Sequence, residues 1–451
     1  MHISCVRVRF DGANVAELSL SWGRTFRYHH HIRKLPRLRD KDATLFGDKR
    51  QTLFRGMGRS YGDVALNADG DLCQTMMADN ILAFDPSAGR MRAESGATLG
   101  ALNAFTIPHG WIMPVNPGTK FVTLGGAVAN DVHGKNHHKA GAFGAHVRAL
   151  QLIRSNGETL ICRPTENANM WAATISGLGL TGYIDWVEVQ LKKIGSRNLY
   201  VENIRVRDLD HFFCLSADSA DWTYTAAWVD CFSPASSLGA GIFTRANFVD
   251  DDDLTNENGR RSYFLPIDMP SILLNKLTIS TFNWLYKRRP GASFKGVRDY
   301  QGLFYPLDQI RGWNKLYGRK GFYQHQSIIP MEASRAGVEA LLSKIRKSGQ
   351  GSFLAVLKRH GPETSPGLNS FALDGVSLAL DFPNRGAKTR ELFRELDAIV
   401  LAHAGRMYPA KDALMSATTY QSSYPNWTRL EALRDPRISS SFWRRVTQQE
   451  K

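Results

Sequence analysis

The chain has 451 residues, 43% hydrophobic and 22% charged, with 57 Lys and Arg against 42 Asp and Glu for a formal net charge of +15. That length is too great for one ordinary core and predicts two domains. The positive excess predicts an anionic partner: a phosphorylated substrate, a dinucleotide or an anionic lipid surface.

No Lys/Arg-dense arm and no zinc-finger spacing occur, which argues against nucleic acid. No apolar run approaches the ~20 residues of a membrane span. Cys5, Cys73, Cys162, Cys214 and Cys231 form no Cys-x-x-Cys pair and read as buried thiols of a reducing compartment. The N-terminus lacks a signal-peptide pattern. The expected location is cytoplasmic, at most peripheral to the inner membrane, with its periplasmic face still open.

His29-His30-His31 reads as a surface tract, and 55–63 (RGMGRSYGD) as a glycine-spaced polar loop. Strands are expected at 81–85 and 90–95 around a turn at 86–89. A helix at 99–106 is stopped by Pro108 and Gly110. The stretch 116–144, NPGTKFVTLGGAVANDVHGKNHHKAGAFG, is the densest in signal. Gly125-Gly126 opens a run, 127–132, that reads as a helix start whose free N–H groups suit a pyrophosphate. His133, Lys135, Asn136, His137 and His138 follow at once, a polar cluster typical of a site. No HExxH spacing occurs and no carboxylate falls among those histidines, so no metal is expected.

A hairpin turns on Ser155-Asn156-Gly157-Glu158, followed by a helix at 167–176 and a strand at 183–191. Between these two, GLGLTG (177–182) formally matches GxGxxG. A dinucleotide fingerprint needs the strand first and the helix second, so a Rossmann reading is rejected.

From 195 onward strands are expected at 199–207, 222–231, 240–249, 321–329, 352–358 and 376–382, with helices at 333–347 and 388–404. This order predicts an antiparallel sheet covered on one face. On the other face Gln324 projects with Gln326, and Ser377 with Asp381 around Ala379, which suits a sugar-binding wall. The acidic run Asp250 to Asp253 reads as a solvated loop. An amphipathic helix is expected at 271–286, with Ile272, Leu273, Leu277, Phe282 and Leu285 apolar, followed by Lys287-Arg288-Arg289. An ordinary core helix and one lying on a membrane surface fit this segment equally.

Four stretches, RGMGRSYGD from Arg55, GATLGALNAFTIPHGWIMPVNPGT from Gly96, LGGAVANDVHGKNHH from Leu124 and MYPAKD from Met407, occur in an order that carries a resemblance. With GLGLTG they span nearly the whole chain. In them the chain resembles the FAD-binding oxidoreductases of the vanillyl-alcohol oxidase type, and among these the 2-oxidases of polyprenylphosphoryl pentoses. The resemblance implies an α+β fold with a two-part FAD-binding domain, 1–194 and 405–451. An antiparallel-sheet substrate domain, 195–404, with helices on one face, would complete it.

By the same resemblance Gly56, Gly58, Ser60, Gly125, Gly126 and Asn130 line the FAD diphosphate and ribityl chain, with Gly118, Gly182 and Tyr408 as further flavin contacts. Arg59 stands where many relatives carry a flavin-linking histidine, which implies non-covalent FAD. Tyr61, His133, Gln324, Gln326, Lys358 and Lys411 would surround the sugar. Ser377 and Ala379 replace an asparagine and a cysteine of the mycobacterial 2-oxidases and alter the pocket wall.

Oxidising a secondary alcohol needs a hydride acceptor and a base near the hydroxyl. Lys411 is the leading base, unless it is a surface lysine paired with Asp412. His133 could orient Lys411 or the sugar, polarise the flavin or cap a helix, and Tyr61 could be an aromatic wall. The implied substrate is a polyprenyl-phosphate sugar, and the implied partner a separate NAD(P)H-dependent reductase. An aldonolactone or alditol oxidase and a catalytically silent lipid-sugar-binding scaffold are the alternatives.

Overall fold

A computed structural model describes residues 16–35, 45–47, 50–255, 263–270 and 274–447. The N-terminal segment with Cys5, and the pair Ile272 and Leu273, lie outside these residues. Three larger sheets set the architecture. A four-stranded sheet runs in the order Ala16–Leu20, Arg27–Lys34, Asp71–Gln74, Thr52–Arg55, antiparallel at the first pair and parallel beyond. A five-stranded antiparallel sheet has the order Ile81–Asp85, Arg90–Glu94, Tyr183–Gln190, Val147–Ile153, Thr159–Cys162.

The third sheet has eight antiparallel strands. Their order is Phe294–Asp299, Asn198–Val206, Gly241–Phe248, Tyr224–Val229, Ala355–Arg359, Gly375–Pro383, Phe322–Pro330 and Arg406–Met407. Helices Met331–Ser348 and Ala387–Ala402 cover one of its faces. There Leu341, Ile345, Leu396 and Val400 share a core with Leu357, Leu378 and Leu380. Burying each such side chain contributes roughly 1.5–3 kcal/mol, and the alternation of the strands leaves the opposite face for polar residues. The fold is α+β.

Local signals account for much of the first half. Gly157, at φ 86°, turns the hairpin between Val147–Ile153 and Thr159–Cys162. Thr98 caps helix Leu99–Thr106 by accepting from the Ala101 N–H, and Gly110 at φ 78° ends the turn beyond it. The end of the chain returns to the first half. Thr52 N–H donates to Arg437 O at 2.8 Å, and Ser155 N–H donates to Asp435 at 2.7 Å. Arg445 bridges Asp63 and Asp412 at 2.7 and 3.0 Å.

Several expectations need correction. His30 is fully buried in strand Arg27–Lys34, where its Nε2 accepts from the Asn67 N–H at 2.9 Å. Cys214 is exposed, whereas Cys73, Cys162 and Cys231 are buried. The acidic run at Asp250 to Asp253 is an exposed loop as expected, with Asp253 accepting from the Asn198 side chain at 2.9 Å. The amphipathic helix spans Lys276–Arg288 and buries Ile279 and Asn283, leaving Leu277, Phe282 and Leu285 exposed. No helix among the described residues is long and apolar enough to cross a membrane.

Candidate active site

A cavity of about 1210 Å³ lies between the glycine-bearing loops of the first half and the polar face of the eight-stranded sheet. This exceeds the ~300–1,000 Å³ of pockets for drug-sized ligands, so a dinucleotide-sized group and a second molecule fit together.

The loop 56–60 forms one wall. It is clamped from both chain ends: Trp22 N–H donates to Ser60 O at 3.1 Å, and Tyr61 N–H donates to Ala410 O at 3.0 Å. No described residue accepts from the N–H groups of Met57, Gly58, Arg59 or Ser60. Gly58 sits at φ 60°, where a Cβ would also strike the Arg55 guanidinium. The Arg59 guanidinium stacks 4.1 Å from the Trp22 ring centroid and 5.1 Å from that of Phe121.

The twin glycines act differently from expectation. Helix Leu124–Ala129 has no free N–H at its start, because segment 95–97 and Thr123 fold across it. Leu124 N–H donates to Ala97 O at 2.8 Å, Gly125 N–H to Ser95 O at 2.8 Å and Gly126 N–H to Thr123 Oγ1 at 3.3 Å. What these glycines supply is closeness. A Cβ on Gly125 would collide with Ser95, while one on Gly126 would meet little but Thr123 Oγ1. Gly118 has open space where its side chain would be. The turn that carries it is pinned by Asn116, whose Oδ1 accepts from Asn103 and Tyr305 at 2.7 Å each.

After the helix the chain makes a costly bend. Asp131 has φ 41°, held by carboxylate bonds from Gly144 N–H at 2.7 Å and Ser370 Oγ at 2.6 Å. That bend delivers His133 into the wall. The Gln326 amide nitrogen lies 2.8 Å from His133 Nε2, and Lys358 Nζ lies 2.6 Å from Nδ1 and donates to Gly134 O at 3.0 Å. All three contacts are satisfied when Gln326 donates to Nε2 and Nδ1–H donates to an uncharged Lys358 amine. Burial drives His133 well below 6.5, reinforced by Lys358. Burial, then the charges of Lys135 and Lys411, drives Lys358 well below 10.5.

Lys411 lines the same cavity, its side-chain nitrogen 4.0 Å from the Tyr61 ring centroid. Asp412 turns away from it to bond Arg445 and the N–H groups of Leu414 and Met415. The surface-pair alternative for Lys411 is therefore excluded. Across the sheet, Gln324 Nε2 donates to Asp381 Oδ1 at 2.5 Å, while Asp381 Oδ2 is buried without a hydrogen bond among the described residues. Burial raises the Asp381 carboxyl and lowers the Lys411 amine, and the attraction between the two opposes both shifts. A buried amine tuned this way can accept a proton near neutral pH.

Gly56, Gly58, Arg59, Ser60, Tyr61, Gly118, Gly125, Gly126, Asn130, His133 and Gly182 line this one cavity. So do Gln324, Gln326, Lys358, Ala379, Tyr408 and Lys411. Ser377 does not. It pairs opposite Ile328, and its hydroxyl lies 2.9 Å from His360 Nε2, behind the wall. Tyr408 stacks on Phe371 at 4.7 Å and donates to Asn130 O at 2.9 Å. Sequence reasoning passed over Trp22 and Trp228, which line the cavity, and placed in its wall Asp381, which is fully buried behind it. Asp381 lies directly opposite Gln324 in register, a pairing that the residues alone do not give.

The residues present fit FAD. Asn130 Oδ1 and Arg59 Nε are buried in this wall without a hydrogen-bond partner among the described residues. The loop N–H groups and the opening at Gly118 suit a phosphate-bearing group that approaches the backbone closely.

Known proteins agree. Residues 47–163 match a family model described as an FAD binding domain. The chain is similar to decaprenylphosphoryl-beta-D-ribose oxidase of Mycolicibacterium smegmatis, 34% identical over 401 residues that cover 86% of each chain. It is 29% identical over 356 residues to an uncharacterized protein of Streptomyces coelicolor, covering 75% of this chain and 96% of that one. L-gulonolactone oxidase of Bos taurus is 29% identical over 135 residues, 30% of each chain. The chain belongs to the FAD-binding oxidoreductases of the vanillyl-alcohol oxidase type, and is an FAD-dependent oxidoreductase acting on CH–OH groups.

Proposed function

We propose that the protein oxidises the C2 hydroxyl of a polyprenylphosphoryl pentose to the 2-keto sugar, the first half of a ribose-to-arabinose type epimerisation. The observation that carries this reading is that Lys411, whose amine burial depresses, Gln324, held by Asp381, and the hydrogen-bonded His133–Lys358 pair line one cavity. The name of the similar mycobacterial protein supports the substrate class.

In this reading 1–194 and 405–451 form the FAD-binding domain and 195–404 the substrate domain. FAD, when bound, supplies the two-electron acceptor that no side chain can provide. Gly56, Gly58, Ser60, Gly118, Gly125, Gly126, Asn130, Gly182 and Tyr408 hold it. Arg59, stacked on Trp22 and Phe121, leaves it without a covalent link. Lys411, as the free amine, takes the C2 hydroxyl proton while the C2 hydrogen leaves as hydride. Gln324 and Gln326 hold the sugar hydroxyls, with Gln326 fixed by His133 and His133 in turn by Lys358. Tyr61 is the aromatic floor beneath Lys411. Ala379 opens the wall where a larger side chain would narrow it.

The ketone so formed suits a separate NAD(P)H-dependent reductase, which would complete the epimerisation. The work would be done on the cytoplasmic side, at the inner membrane. Anaerobic mixing of the flavin-loaded protein with polyprenylphosphoryl pentoses and with free alditols tests the reading. Bleaching of the flavin by the lipid-linked sugars supports it, and bleaching by free alditols alone overturns it.

A further inference from the structure

Helix Lys276–Arg288 turns two of its polar side chains inward: the buried Asn283 donates to Asp230 at 2.8 Å, and Lys287 pairs with the same carboxylate at 2.6 Å. Leu277, Trp284 and Leu285 instead face out, 76%, 52% and 55% exposed. With Thr281 and Arg288 they recur at i, i+4, i+7/8 and i+11, one continuous stripe of a helix. An outward stripe that carries three exposed large apolar side chains suits an outer partner other than water.

Two further observations say what that partner is. First, basic groups are laid on aromatic rings along this edge. Arg288 lies 4.3 Å from the Trp284 ring, Arg289 3.8 Å from Tyr286, Arg298 3.7 Å from Phe294 and Lys315 5.0 Å from Phe264. Aromatic bodies carrying cationic tips suit the boundary between acyl chains and anionic headgroups. Second, the cavity reaches this edge. Phe282 and Tyr286 of the helix, Arg289 at its end, and Arg298 and Tyr263 line the same cavity as Lys411. Tyr263 is itself exposed, as are Phe264 and Ile267 beyond it in the chain.

We infer that this edge is a membrane-docking surface. Leu277, Trp284 and Leu285 enter an anionic bilayer and Arg288, Arg289 and Lys315 meet its headgroups, so that the cavity mouth opens onto the lipid. The inference rests in part on the lipid-linked substrate proposed above, and gives that substrate a route from the bilayer to the cavity without passing through water.

The test is co-sedimentation of the flavin-loaded full chain with vesicles of phosphatidylcholine, with and without phosphatidylglycerol, and with no sugar substrate present. The protein should pellet with the anionic vesicles, less so as salt is raised. Leu277→Asp with Leu285→Asp should cut partitioning by about tenfold or more, and Leu82→Ser, at an exposed apolar site on the five-stranded sheet, should leave it unchanged. Both variants should keep the parent's melting temperature, since the replaced side chains are exposed. Failure of the parent to bind anionic vesicles, or equal binding by the double variant, overturns the inference. So does a parent dimer that the double variant dissociates without any vesicle binding, because a second copy then covers the stripe. Flavin bleaching by a short-chain soluble substrate analogue, measured on the same variants, reports on the oxidase reading separately and should not change.

Discussion

Replacing Lys411 with methionine isolates the proposed base. The substitution keeps most of the stem's length over Tyr61 and removes only the amine. Folding should survive: the lost cation–π contact, of about 0.5–2 kcal/mol, disappears together with the desolvation cost of burying an amine, so the two changes oppose each other. Catalysis should not survive intact. A positioned general base contributes about 10²–10⁴-fold, equivalent to roughly 3–5.5 kcal/mol of barrier. The assay is single-turnover flavin reduction under anaerobic conditions, followed at the flavin absorbance band, with flavin content measured beforehand. The expected result is normal flavin content and a bleaching rate reduced by that factor. A rate within about threefold of the parent would remove Lys411 from the base role, since no positioned base is worth so little.

The remaining predictions test the rest of the wall. Burial pushes Lys411 down to about 8 against the pull of Asp381, and only the neutral amine accepts a proton. Single-turnover bleaching should therefore rise with pH up to that region and level off above it, and a flat profile would contradict the assignment. Asp381→Asn removes the charge that raises Lys411, so the midpoint of the same profile should move to lower pH; an upward move would refute the coupling. Gly118→Val places a side chain in open space toward the cavity, so the purified chain should lose most of its flavin while melting where the flavin-free parent melts. Arg445→Met leaves the buried carboxylates of Asp63 and Asp412 without their shared cation. It should cost about 3–5 kcal/mol in denaturant unfolding. Acid precipitation should release the flavin into the supernatant, and flavin retained in the pellet would mean a covalent link.

Where side chains alternate cleanly, the strands could be read from the residues, and six of the eight-stranded sheet's members lie close to their expected positions. Strand Phe294–Asp299 went unseen because it is an edge strand, FKGVRD, whose Lys295 and Arg298 stay in solvent as edges require. The strand holding His29 to His31 was hidden by its polarity, since only a distant acceptor contact with Asn67 explains why His30 is buried. The helix at Lys276–Arg288 fitted a core and a surface setting equally in sequence, because its periodicity does not say which side faces in. Asp230, far away in the chain, decides that by drawing the polar side inward.

At the site, residue types were legible and their partners were not. Gly125-Gly126 pointed to a close backbone approach, but the N–H groups expected there are taken by Ser95, Ala97 and Thr123. Ser377 shares its strand face with Asp381, yet it lies two register positions beyond the cavity wall and meets His360 instead. Periodicity assigns a face. It does not say where along the face a cavity ends.

The central claim, hydride removal from C2 of a lipid-linked pentose beside Lys411, is tested most directly by isotopic substitution. Polyprenylphosphoryl pentose deuterated at C2 should bleach the flavin several times more slowly than the unlabelled compound under anaerobic single-turnover conditions, and its product should be a 2-keto sugar lacking that deuterium. Equal rates with the deuterium still on the product, or an isotope effect at a different carbon, would contradict the account.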